Sequence, residues 1–267
     1  MTDRTDDPFA DAAKARQEKM NKHAELRASP EFVAALQHTH QLAADFQIAV
    51  ASIGLMSMRW HGFRERSLTL RIQDHLLQSL IAIVSLIDNG FHGPARREMR
   101  FIVEASVKAW AADLADMDGK VADKIEDLDD LGWQRFGAIV DGLSPKLLSG
   151  DALTAFPARV KSLYKKLCTH VHMSASQIKH DFEGFERGEH FGYETAQQVT
   201  EINALFQDVL DLALLVQFEA FDRGLVGDIF VHLLDAQKKW IFHETLFVAN
   251  VSRFFDYKAE RKVTHGP

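Results

Sequence analysis

Helix breakers are scarce in this chain, which carries 15 glycines and 6 prolines among 267 residues. That scarcity favours long helices over a turn-rich β fold. The apolar residues point the same way. Ile72, Leu76, Leu80, Ile83, Val84 and Ile87 recur at helical spacing, as do Ile202, Leu205, Phe206, Val209, Leu212, Leu215 and Val216. There is no internal repeat and no β-hairpin signal. The expected fold is all-α, an antiparallel helical bundle. Hydrophobic residues make up 46% and charged residues 26%, enough apolar material for a substantial core.

The punctuation divides the chain into three parts: a charged helical arm over 1–29, a helical bundle over 30–222 and an aromatic-rich helical extension over 223–267. Ser29-Pro30-Glu31 is a helix start, with a capping hydroxyl, a proline in the first turn and an acid at the positive end of the dipole. The helix it opens should run through Phe32, Leu36, Leu42, Phe46 and Ile48 towards Met58, where Trp60-His61-Gly62 interrupts it. The spacing then predicts one helix from about Ser67 to Asp88, a stop at Asn89-Gly90 and a third helix from Pro94 to about Ala115. A short connection of this kind makes an antiparallel αα-hairpin. Residues 113–130 are rich in acids and read as a solvated helix with its loop; Leu131 to Val140 is a short helix or irregular piece. A loop follows over Gly142 to Asp151, then a helix from about Thr154 to Ala175, a loop over 177–192, a helix over Tyr193 to Phe221 and a break at Gly224 to Gly227. The extension carries Phe230, Trp240, Phe242, Phe247, Phe254 and Phe255. It is the candidate surface for a protein partner or a second copy, although docking on the bundle is the simpler reading.

Bulk charge narrows the function. At a formal net charge of −7, wholesale electrostatic capture of nucleic acid is not expected, though a local basic patch can still hold a phosphate. Cys168 is the single cysteine, so no intramolecular disulfide can form, which fits a reducing compartment. The N-terminal residues lack the apolar run of a signal peptide, and no apolar stretch approaches the roughly 20 residues of a membrane span. A cytoplasmic protein without membrane attachment is the expectation.

Two charged features stand out against this background. In the Pro94–Ala115 helix, apolar residues spread nearly all round, yet Arg97, Arg100, Glu104 and Lys108 line up at roughly 100° per residue. Such a stripe either borders a cleft or is a surface stripe with an Arg100–Glu104 pair, worth about 0.3–0.5 kcal/mol. Further along, Tyr164-Lys165-Lys166-Leu167-Cys168-Thr169-His170-Val171-His172-Met173-Ser174 is a basic, histidine-bearing stretch. On a helix, Lys161, Lys165, Thr169 and His172 fall on one flank, and Arg159, Lys166 and His170 on the other.

Metal chemistry fits this stretch poorly. Helical residues two apart point about 200° from each other, so His170 and His172 cannot share an ion, and no second ligand cluster exists. No cofactor is expected either. Cys168 lies at the edge of the apolar face, where a small core residue is the simpler reading than a nucleophile. General acid–base chemistry on RNA remains: a neutral His172 takes the proton of a ribose 2′-hydroxyl while cations stabilise the phosphorane. Lys165 on the same flank favours the neutral imidazole. Arg97, Arg100, Lys161 and Lys165 supply phosphate contacts if the two helices pack side by side. The simpler alternative is a histidine that makes structural hydrogen bonds.

These residues resemble a bacterial group of helical proteins. The group has a helix hairpin, an Arg-x-x-x-Glu helix and a later Tyr-x-x-Leu-Ser-x-x-Val-His-x-Ser pattern. Here Asp74 to Trp110, especially Leu86 to Glu104, matches the first part and Tyr164 to Ser174 the second, with Cys168 in place of the serine. The group is similar in pattern to the HEPN superfamily, helical bundles that are often dimeric and often metal-independent RNases of phage defence and stress. The resemblance spans roughly residues 35–220. It implies His172 at the catalytic histidine. Taken with the residues read above, Arg100 and Lys165 are the expected phosphate ligands, Glu104 orients Arg100, and Arg97, Lys161, Tyr164, Lys166 and His170 are binding contacts. The resemblance also implies RNA as a candidate partner and a candidate homodimer. One departure counts against catalysis. HEPN nucleases place an arginine shortly before that histidine, and here Lys165 or Lys166 stands there without the planar fork of a guanidinium. A non-catalytic interaction or dimerisation module is the rival.

Overall fold

A computed structural model describes residues 8–133, 135–169, 178, 179, 182 and 194–255, and among these every regular element is helical. The elements are α1 (Pro8–Arg27), α2 (Pro30–Ser57), α3 (Phe63–Arg66), α4 (Leu68–Arg71), α5 (Gln73–Asp88), α6 (His92–Ala115), α7 (Val121–Trp133), α8 (Phe136–Gly142), α9 (Gly150–Cys168), α10 (Ala196–Glu219), α11 (Arg223–Ile229) and α12 (Leu246–Phe254). A π turn over Phe230–Leu234 and a 3-10 turn over Ile241–Glu244 join the last two helices. Among the described residues no helix is long and apolar enough to cross a membrane.

Local chemistry sets most of the helix ends. Ser29 accepts a hydrogen bond from the Phe32 amide at 3.3 Å, and Pro30 fills the first turn of α2. Inward-facing Phe32, Leu42, Phe46, Ala49 and Ile53 are buried. Ile48, expected to follow that face, points outward, because two residues on from Phe46 is a turn of about 200°. Gly62, at φ +79°, makes the left-handed turn out of α2. The α5 helix ends in a Schellman pair: the Phe91 amide reaches Leu86 O at 2.7 Å and the Gly90 amide reaches Ile87 O at 3.0 Å, with Gly90 at φ +74°.

Several boundaries differ from the sequence expectation. The helix expected over Ser67–Asp88 is two helices, split at Ile72. Gln217, fully buried on α10, donates to Thr69 O and accepts from Gln73, so a partner distant in sequence fixes the break. The acidic segment is not purely solvated. Asp113 is buried and accepts from the Leu68 and Thr69 amides and the Ser67 hydroxyl, capping α4, and Lys124 of α7 reaches it at 3.0 Å while sitting 1% exposed. Helix α9 opens at Gly150, about a turn earlier than expected, and closes at Cys168 with Thr169 as its C-cap. Its expected continuation, His170 to Ala175, lies outside the described residues. Of the loop expected over 177–192, residues 178, 179 and 182 are described, and they are helical. Gly224 and Gly227 do not break the chain but sit inside α11, where the Asp222 carboxylate caps the amides of Gly224 and Leu225.

The C-terminal aromatics join the same core as the bundle. Phe230, Trp240, Phe242, Phe247 and Phe255 are buried; Phe254 is exposed. The Trp240 indole donates to Asp45 O at 2.9 Å, the Ile241 amide donates to the Asp45 carboxylate at 2.7 Å, and Asp211 of α10 caps α12 through the amides of Phe247 and Val248. The five buried rings are therefore packing, and of the six only Phe254 faces outward.

Candidate functional site

Helices α6 and α9 pack against each other, and their contact gathers three of the residues singled out above. The (i, i+4) spacing puts Arg100 and Glu104 on one face of α6. The guanidinium donates to Glu104 Oε1 through Nε at 3.1 Å and Nη2 at 2.9 Å. From α9, Tyr164 completes a closed triangle: its hydroxyl accepts from Arg100 Nη2 at 3.0 Å and donates to Glu104 Oε1 at 2.5 Å. Phe136 of α8 stacks on the Tyr164 ring with centroids 3.9 Å apart and planes 18° apart, which fixes the phenol. Arg100 Cζ also lies 5.2 Å from that ring's centroid.

The electrostatics follow from this packing. Burial works against the charge on Arg100, but the bond to Glu104 and its negative charge outweigh it, so the guanidinium pKa rises. Burial and the adjacent Glu104 carboxylate push the Tyr164 pKa up, with Cys168 adding to both effects. Tyr164 is thus a proton-bearing donor, not a base. Arg100 is a permanently charged group with its orientation set and its Nη1 edge without a described acceptor. Such a group can hold or stabilise an oxyanion. Cys168, half-buried, sits one turn beyond Tyr164.

The remaining candidates disperse. Arg97 and Lys165 are exposed. Lys161 turns towards α8 and pairs with Asp141 at 2.5 Å, a surface bridge that occupies its charge. Lys166 lies on the other flank of α9, in a cleft with Arg159, Ser162 and Asp208. There, burial raises the Asp208 pKa while Lys166 and Arg159 pull it back. His170 and His172 lie outside the described residues. Among the described residues no group of three or more His, Cys, Asp or Glu side chains is arranged to hold a metal ion.

Sequence reasoning missed two residues on the same helix. Arg96 and His92 stand four and eight positions before Arg100, so His92, Arg96, Arg100 and Glu104 form one row along α6. The sequence reading drew the row through Arg97 instead, and the (i, i+4) series was the available signal. Arg96 is half-buried; burial lowers its pKa, with Glu201 of α10 acting against that. His92 is held neutral, its pKa lowered to about 4 by burial and by the Arg96 charge, and its Nε2 is sealed from solvent without a hydrogen-bond partner among the described residues. No family model matches the chain, and comparison with curated proteins and with solved structures returns no match.

Proposed function

We propose that this protein is an HEPN-like antiparallel bundle that binds RNA and cleaves it without metal, in phage defence or stress. The observation that carries the reading is the Arg100–Glu104–Tyr164 triangle, a guanidinium fixed from two helices with one edge left open. Arg100 holds the scissile phosphate, Glu104 and Tyr164 orient it, exposed Lys165 adds a second positive charge, and His172 takes the 2′-hydroxyl proton. The reaction is an in-line attack of the 2′-oxygen on phosphorus; the 5′-oxygen takes a proton from water and departs as a hydroxyl, leaving a 2′,3′-cyclic phosphate.

The test is cleavage of tRNA and single-stranded oligonucleotides in the presence of a chelator. His172→Ala is expected to abolish cleavage with an unchanged circular dichroism spectrum, and Arg100→Ala to slow it by about 10²–10³. Glu104 and Tyr164 keep their mutual bond in the second variant, so it should stay folded. A pure wild type that neither binds nor cuts any of these RNAs sinks the reading.

A second reading, the non-catalytic dimerisation module, is favoured by a different observation. The outward face of α2 and α5 is uncharged from Ala43 to Met58 and from His75 to Ile87, apart from the buried Asp45. Leu55 and Ile81 are 59% and 61% exposed, and a groove of about 380 Å³, whose lining also includes the His40–Asp88 pair, runs between the helices. On a chain of net charge −7, such a face lets two copies meet without repulsion. Ile81→Glu is expected to halve the mass measured by light scattering. A wild type that stays monomeric at ~100 μM, far above the Kd range of stable dimers, removes this reading.

A further inference from the structure

Arg96 is the unusual charge of this molecule. It is half-buried, yet among the described residues no carboxylate pairs with it and no acceptor takes its N–H groups. The negative charge that acts on it is Glu201, with which it forms no ion pair among the described residues. Withdrawing a guanidinium from water without compensation is costly, and native chains keep such groups where something binds them. One turn on, Arg100 offers its free Nη1 edge, since Nε and Nη2 are taken by Glu104 and Tyr164. One turn back, His92 is neutral, so the three residues do not amount to a cluster of three like charges.

We propose that Arg96 forms a phosphoryl-oxyanion site through its unused planar fork, with Arg100 one turn further along α6. The inference rests on the RNA reading for the identity of the ligand, a backbone phosphate. It supplies the planar fork from Arg96, where the sequence had offered only Lys165 or Lys166, which have none. Glu201 stands beside the site as a competing negative charge, so phosphate must displace its influence to bind.

The experiment compares wild type, Arg96→Met, Arg96→Lys and Glu201→Gln by thermal unfolding in inorganic phosphate and in chloride of equal ionic strength. For a Kd on the order of 1 mM, ~10 mM phosphate should raise the wild-type Tm by about 4 °C relative to chloride. Arg96→Met should lose that increment and Arg96→Lys should keep part of it. Glu201→Gln should enlarge it. In chloride, Arg96→Met should be no less stable than wild type, because it removes an uncompensated charge. With a single-stranded RNA 12-mer, Arg96→Met should weaken binding about tenfold and reduce the slope of log K against log salt by about 0.7.

An equal phosphate increment in wild type and Arg96→Met, which is what general salt exclusion would give, overturns the site. So does an Arg96→Met variant that is destabilised to the same extent as Glu201→Gln, with no further loss in the double variant, since Arg96 would then be a structural partner of Glu201. RNA binding that Arg96→Met leaves unchanged overturns the inference and leaves the RNA reading standing. An Arg96-dependent phosphate increment in a protein that binds no RNA leaves the site standing for a small phosphate ester and ends the RNA reading.

Discussion

Asp113→Ala is expected to cost about 3–5 kcal/mol of stability, read as a drop in the urea midpoint, because it strands a buried ammonium. Lys124 Nζ, on a side chain 1% exposed, has Asp113 and the Arg66 carbonyl as its partners. The same carboxylate receives the Leu68 and Thr69 amides at 2.9 Å each, so alanine also uncaps α4. The reverse truncation should be milder. In Lys124→Met, Asp113 keeps both amides and the Ser67 hydroxyl, and the loss should be about half as large. The double variant Asp113→Ala/Lys124→Met should be more stable than Asp113→Ala alone, since no charge is left buried. Equal losses in the two single variants would show that the caps Asp113 provides add nothing beyond its pairing with Lys124. A loss below about 1 kcal/mol in Asp113→Ala would mean that Lys124 escapes to water without cost.

The same pair shows where sequence reading stops. Asp113 and Lys124 belong to a stretch of mixed, mostly acidic charge, and nothing in its order distinguishes a buried pair from a solvated face. The distinction lies in α4, which is more than forty residues away and presents bare amides to Asp113. Signals confined to one turn of helix were legible: the Ser29 cap, the Gly90 stop, and the Arg100–Glu104 pair at (i, i+4). Signals settled by a neighbour were not. Gln217 splits the helix expected over Ser67–Asp88 by engaging Thr69 and Gln73 from α10, and the Asp222 cap keeps Gly224 and Gly227 helical despite their low propensity. The candidate site divides the same way. Its stripe on α6 could be read from periodicity, and Tyr164 from the motif. Whether a given cation is free depended on Asp141 for Lys161 and on Asp208 for Lys166, both contributed by other helices.

Two buried groups should bend the stability profile in opposite directions across mildly acid pH. His92 has its pKa lowered to about 4 by burial and the Arg96 charge. Between about 6.5 and 4 the unfolded chain takes up a proton that folded His92 refuses, so its contribution falls as pH drops, by about 3 kcal/mol. Asp211 is the mirror case. Burial raises its pKa to about 6, against the pull of its bonds from Phe247, Thr245 and Val248. Between about 4 and 6 the folded carboxyl holds a proton that the unfolded chain has released, so its contribution falls as pH rises, again by about 3 kcal/mol. Asp208 and Glu219, also raised by burial, act with Asp211. The opposed slopes partly cancel in the wild type, and single variants should unmask them. Relative to wild type, His92→Phe should gain stability as pH falls from 6.5 to 4. Asp211→Asn should gain it as pH rises from 4 to 6, on top of a constant loss because its amide group cannot accept from all three donors. Urea unfolding at half-unit steps separates the slope from that offset. A flat difference curve for His92→Phe would show the imidazole exchanging protons with solvent as freely in the folded chain as in the unfolded one, and the desolvated row on α6 would lose its neutral member.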